Sequence, residues 1–199
     1  MKANRKGDAV YAAEAVAHLA RTIYSGGNAC GLTNAQWTAL RFFGTVSRFS
    51  RNLSAFADYH ATSRGSASQT IKSLIKKDLL SRIASNEDGR SARIEVTKKG
   101  RAFCEQDPFK RLVSAIETLP DGGPNNLAAV LEGVLACIDV DRQGKTLGTC
   151  PKCQFLKECI SNKSAETAYF CTHAQEELSE LELQLICMNY SAKMSVFGA

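Results

Sequence analysis

The residues with the most chemistry to offer are eight cysteines, five of them close to the C-terminus: Cys150, Cys153, Cys159, Cys171 and Cys187. Cys150-Pro151-Lys152-Cys153 is a knuckle that turns two thiolates towards one point, as tetrahedral zinc and iron–sulfur sites require. A closed site needs two further ligands. Cys171 follows Tyr169 and Phe170, and Cys187 follows Leu185 and Ile186. Those apolar neighbours let the chain bury both thiols, which makes them the expected partners of the knuckle. Cys159 lies in the polar run Lys157-Glu158-Cys159-Ile160-Ser161-Asn162 and is the alternative ligand. Together with Cys150 and Cys153 it has a spacing seen in iron–sulfur oxygen sensors. His173 is a possible substitute if the metal is zinc. The expected cofactor is therefore zinc or an iron–sulfur cluster, against the plainer reading of reduced thiols in a small helical tail. Zinc makes the tail structural. A cluster or a reversible disulfide makes it a sensor, open to chelators and oxidants.

The compartment decides which thiol chemistry applies. Met1 to Lys6 carries no apolar run of the secretory kind, and no stretch reaches the roughly 18–20 apolar residues of a membrane span. The expectation is a cytoplasmic protein that does not enter the membrane. In a reducing compartment, cysteines serve as thiols, ligands or redox sensors rather than structural disulfides. Cys104 and Cys137 fall on helical stretches among apolar residues and are expected in the core. Cys30, beside Gly31, is a candidate redox thiol.

A second chemistry is carried by charge. From Arg48 to Arg111 there are 14 Lys/Arg against 7 Asp/Glu, whereas from Gly148 onwards there are 4 Lys against 6 Glu. A basic middle and an acidic tail point to a polyanion for the first and a different task for the second. Catalysis finds no comparable foothold. His18, His60 and His173 sit in no nucleophile motif, and Gly26-Gly27 and Gly122-Gly123 read as turns rather than phosphate loops. The chain is not expected to be an enzyme.

The elements that must position these groups follow from periodicity. Val10, Ala13, Val16, Ala17, Ala20 and Ile23 predict a helix over residues 8–24. Thr33 and Gln36 form a capping-box pair ahead of a helix that turns Trp37, Leu40 and Phe43 inward. A short helix follows over residues 54–59, with Ser54 as its cap. Ser63 then caps a third helix reaching Lys77, with Ala67, Thr70, Ile71, Leu74 and Ile75 inside. A short apolar strand pair around a polar, glycine-containing loop spans Arg82 to Val96, after which Lys98-Lys99-Gly100-Arg101 opens one long helix towards Glu117. Pro120-Asp121-Gly122-Gly123-Pro124 breaks the chain before a helix over residues 125–138.

In order and spacing, residues 8–140 resemble the MarR family of winged-helix transcriptional regulators. The resemblance rests on Leu53-Ser54-Ala55-Phe56-Ala57, on Ser66-Ala67-Ser68-Gln69-Thr70-Ile71-Lys72-Ser73-Leu74 ending in Asp78-Leu79-Leu80, and on the wing Glu87-Asp88-Gly89-Arg90 closing with Val96-Thr97-Lys98-Lys99-Gly100. Gly65 and Asp78 depart from the commoner residues at the two ends of the third helix. The fold class implied is mainly α with a small β-ribbon wing (α+β). Residues 1–32 are expected to form an N-terminal dimerisation helix, and 33–97 the DNA-binding lobe. Residues 98–147 would supply C-terminal dimerisation helices, and 148–199 the cysteine tail with its metal site.

The function implied is a sequence-specific, homodimeric regulator of the repressor type on a palindromic operator, under effector, metal or redox control. Its expected partners are double-stranded DNA, a second copy and a small-molecule effector. With the apolar side of the third helix buried, Arg64, Ser66, Ser68, Gln69 and Lys72 are left to face DNA. Gln69 suits an adenine, Arg64 a guanine or phosphate, and the serines phosphate. Arg90 suits a narrow minor groove. Lys76, Lys77, Lys98 and Lys99 are further phosphate candidates. The competing function is a metal-dependent interaction module, in which the tail recruits a partner protein and DNA binding is secondary.

Overall fold

The computed structural model describes residues 5–24, 31–83, 93–138, 148–160 and 167–193. Helices α1 (Arg5–Tyr24), α2 (Asn34–Thr45), α3 (Leu53–Tyr59) and α4 (Arg64–Lys76) come first. Strands β1 (Leu80–Ile83) and β2 (Arg93–Val96) follow, then α5 (Lys98–Cys104), α6 (Lys110–Glu117) and α7 (Gly123–Ile138). The tail supplies β3 (Leu156–Ile160), β4 (Thr167–Cys171), β5 (Glu176–Leu178) and α8 (Glu180–Leu183). Mainly helical with a small antiparallel ribbon is the fold class that the sequence predicts.

Local chemistry starts each element. The Thr33 hydroxyl accepts the Gln36 N–H at 3.3 Å while the Gln36 side chain accepts the Thr33 N–H at 3.0 Å, so the capping box forms. Ser63 accepts the Ser66 N–H at 3.1 Å at the head of α4. The cap of α3 is Asn52, whose Oδ1 accepts the Ala55 N–H at 2.9 Å, and not Ser54, which lies inside the helix. Both residue types cap well, and only the backbone turn decides between them.

The core lies between α2, α3, α4 and the wing, where Leu40, Phe42, Phe43, Phe56, Ile71, Leu74, Leu80 and Ile94 are buried. Phe42 meets the rings of Phe43, Phe56 and Tyr59 at 5.1, 5.5 and 4.7 Å, and Trp37 stacks on Phe103 at 5.6 Å. β1 and β2 pair antiparallel from Leu80↔Val96 to Ile83↔Arg93.

Asp78, at the end of α4, has φ +61°. The Leu79 N–H reaches back to the Leu74 carbonyl at 2.9 Å, the bond that closes a left-handed helix terminus. An L-residue is strained there and glycine is not. Asp78→Gly is expected to stabilise the lobe by about 1 kcal/mol, seen as a higher urea midpoint at unchanged slope. A lower midpoint would show that the carboxylate contributes more than the backbone strain costs.

Further sequence readings are corrected by the fold. The long helix towards Glu117 is two helices, because Pro108 lacks an N–H and disfavours helical backbone at Asp107. Cys137 is exposed on α7 rather than buried, since none of the described residues covers that apolar face. The tail, helical only in the plainer competing reading, is a three-stranded sheet in the order β3-β4-β5 with one short helix. α1 and α7 leave Val10, Tyr11, Val16, Val130, Val134 and Ile138 each at least half exposed.

Candidate nucleic-acid interface and cysteine cavity

α4 buries Ala67, Ile71 and Leu74 and turns Arg64, Ser66, Gln69 and Lys72 out to solvent. Ser68 is half-buried beside them. The predicted contact residues thus share the outer side of one helix. Ser66 is partly occupied, because its Oγ lies 3.0 Å from Ser63 Oγ within the cap. Gln36 Nε2 donates to Ser73 Oγ at 2.8 Å and fixes α4 against the start of α2. Arg90 lies outside the described residues. The base of the wing is held by the Ile94 N–H on the Arg51 carbonyl at 2.8 Å, and by Arg51 on Glu95 at 2.6 Å.

Two of the generic phosphate candidates have structural work. Lys77 Nζ donates to the Gly31 carbonyl at 3.0 Å, and Lys99 Nζ to the Lys77 carbonyl at 2.9 Å. Both sit at the C-terminal end of α4, where cations offset the helix dipole, away from the end that would meet base edges. Cys30 lies outside the described residues. Cys104 packs on the core, and burial first, then the Asp107 carboxylate, push its thiol up.

The tail brings Cys150, Cys153, Cys171 and Cys187 to the wall of one small cavity of about 20 Å³. In the knuckle the Cys153 N–H returns to the Cys150 carbonyl at 2.9 Å. Cys187 is set beside it by its N–H on the Gly148 carbonyl at 2.8 Å, while Cys171 ends β4 opposite Leu156. Burial, followed by the neighbouring thiols of Cys187, Cys153 and Cys171, pushes the Cys150 thiol up to about 11. Cys159 is exposed and pairs with Ala168, three residues along β3 from Leu156. Side chains alternate along a strand, so it points to the opposite face from Cys171 and Leu156. His173 also lines the cavity, with its ring 5.0 Å from Phe155. Among the described residues, no group of three or more His, Cys, Asp or Glu is already arranged to hold a metal ion.

Sequence reasoning missed where the tail sits. The Ser47 N–H donates to the Ile186 carbonyl at 2.8 Å, and the Ile186 N–H to the Thr45 carbonyl at 3.1 Å. The Met188 N–H reaches the buried Ser50 hydroxyl at 2.9 Å. Arg48 pairs with Glu176 at 2.9 Å, donates to the Glu177 carbonyl at 2.6 Å and bonds Glu182. Partial burial opposes ionisation of Glu182, but the Ser179 N–H, the Ser179 hydroxyl and Arg48 outweigh it and hold the carboxyl below its usual range. Ser47 and Phe49 of the lobe form part of the cavity wall. Single serines and arginines scattered through a basic stretch carry no signal for such contacts.

The MarR family model matches residues 31–91. Among solved structures, the chain is similar to MepR of S. aureus in its DNA-binding conformation, at 17% identity and TM-score 0.56, over 65% of this chain and 97% of that one. It is also similar to the transcriptional regulator SlyA, at 20% identity and TM-score 0.53, over 65% and 95% of the two chains. A MarR/EmrR family regulator from Acinetobacter sp. ADP1 matches at 17% identity and TM-score 0.53, again over 65% and 95%. No curated protein matches the sequence. At these identities the similarity shows a shared fold. Among the described residues, no helix is long and apolar enough to cross a membrane.

Proposed function

From a MarR-family winged-helix lobe at residues 31–91, we propose that this protein is a DNA-binding transcriptional regulator, acting as a homodimeric repressor on a palindromic operator. The observation that carries the reading is α4, whose buried side is fixed in the core while Arg64, Gln69 and Lys72 stand exposed together. A helix held in this way presents its N-terminal half to the major groove, where Gln69 reads an adenine edge and Arg64 a guanine or a phosphate. Arg90, in the sequence between β1 and β2, is the residue this reading assigns to the adjoining minor groove. The DNA-binding conformation belongs to MepR; its fold is the reason for extending the activity to this chain.

The dimer reading rests on α1 and α7. Their exposed apolar residues would be covered by a second copy, which sets one recognition helix per half-site. An effector would act by binding more tightly to one of two dimer spacings than to the other.

A salt titration of binding to operator DNA tests the proposal. Affinity is expected to fall steeply and linearly on logarithmic axes as phosphate contacts release counterions. Arg64→Ala is expected to weaken binding by about 1 kcal/mol or more at an unchanged unfolding midpoint. Binding that ignores both salt and Arg64 would sink the DNA-reading assignment.

A further inference from the structure

We infer that Cys150, Cys153, Cys171 and Cys187 hold one divalent metal ion of the zinc class as a tetrathiolate centre, in the cavity where the tail meets the winged-helix lobe. The four sulfurs come from separate pieces of backbone that the fold gathers on one cavity: the knuckle, the end of β4 and the segment paired with Gly148. Two thiols from a tight knuckle and two from other segments are the donor set of a closed zinc site. The fifth tail cysteine, Cys159, faces away across β3 and takes no part.

The sulfurs are not gathered at bonding distance beforehand. The ion draws the four sulfurs in by rotation of their side chains between staggered rotamers. Each thiol passes its proton to solvent as its sulfur takes the metal, and no electron is transferred. With Ser47 and Phe49 in the same wall, and Ile186 hydrogen-bonded to Thr45 and Ser47, the bound ion staples the tail to the loop between α2 and α3. This inference does not depend on whether the lobe reads DNA.

Cobalt(II) titration of the chelator-treated, anaerobically purified full-length chain provides the test. One equivalent is expected to saturate intense sulfur-to-metal charge transfer and the red bands of a tetrahedral thiolate site, and zinc is expected to displace it. Cys153→Ser and Cys187→Ser are each expected to weaken binding by at least about a hundredfold, whereas Cys159→Ser leaves it unchanged. Loading should slow amide exchange at Ser47 and Ile186 by about tenfold. Because the wild-type titration stands alone, a variant that misfolds does not blunt it. Absence of the tetrahedral thiolate spectrum, stoichiometric iron with sulfide, or equal loss in Cys159→Ser would overturn the site. Unchanged exchange would overturn the staple.

Discussion

Asp107→Ala is expected to destabilise the protein by about 3–5 kcal/mol, the cost of breaking one side of a buried ion pair. Asp107 is 8% exposed and accepts from Arg41 Nε at 2.8 Å and Nη2 at 3.3 Å, while Arg41 is itself only 16% exposed. The same carboxylate accepts the Phe109 N–H at 2.9 Å, and the Arg41 guanidinium lies 4.0 Å over the Phe109 ring. One side chain thus ties α2 of the lobe to the corner between α5 and α6. Its loss should lower the urea midpoint and also loosen the arm that leads to α7, weakening the proposed DNA binding beyond the unfolded fraction. Adding Arg41→Met to Asp107→Ala should recover part of the stability, because the guanidinium that lost its carboxylate is removed. A double variant no better than the single one would show that packing, not charge pairing, holds this corner.

Gly100→Ala is the second large effect. A Cβ on Gly100 would stand 2.1 Å from the Leu79 carbonyl oxygen and 2.8 Å from Val96 Cγ1. The first obstacle is backbone, which cannot rotate aside as a side-chain tip can. α5 starts here because Thr97 Oγ1 accepts the Gly100 N–H at 2.9 Å and donates to the Asp78 carbonyl at 2.7 Å, pressing the first turn onto the α4–β1 connection. Alanine favours a helix interior by about 1 kcal/mol over glycine, yet overpacking here should reach or exceed the upper end of its usual cost of about 3 kcal/mol. A net loss of about 2 kcal/mol or more is expected, read from the urea midpoint, with a displaced wing base and a weakening of the proposed DNA binding. Unchanged stability would mean that α5 can lift off Leu79 without penalty.

What could be read in advance follows the range of the interaction. Caps at Thr33 and Ser63, the inward stripe of α4 and the knuckle of Cys150 and Cys153 are set by residues at most four positions apart, so the sequence displays them. The choice of Cys171 and Cys187 as the other thiols on the cavity was legible through their apolar neighbours. The break at Pro108 was legible too, but the apolar periodicity on either side concealed it. The cap of α3 was ambiguous, because Asn52 and Ser54 are both good capping residues two positions apart.

A lobe of winged-helix type is legible in the sequence, because hydrophobic period and capping chemistry are local and repeat at fixed spacing. That the cysteine tail is a small sheet seated on the lobe emerges only in the folded chain. The contacts that seat it, Arg48 to Glu176 and Glu182 and Ser50 to Met188, join residues 128 to 138 positions apart. Each is a single polar group in an ordinary stretch of chain, and its partner is chosen by where the folded backbone delivers it rather than by any pattern of neighbours. The same folding placed Cys159 on the far side of its strand, since one β residue more or less exchanges the faces of a sheet.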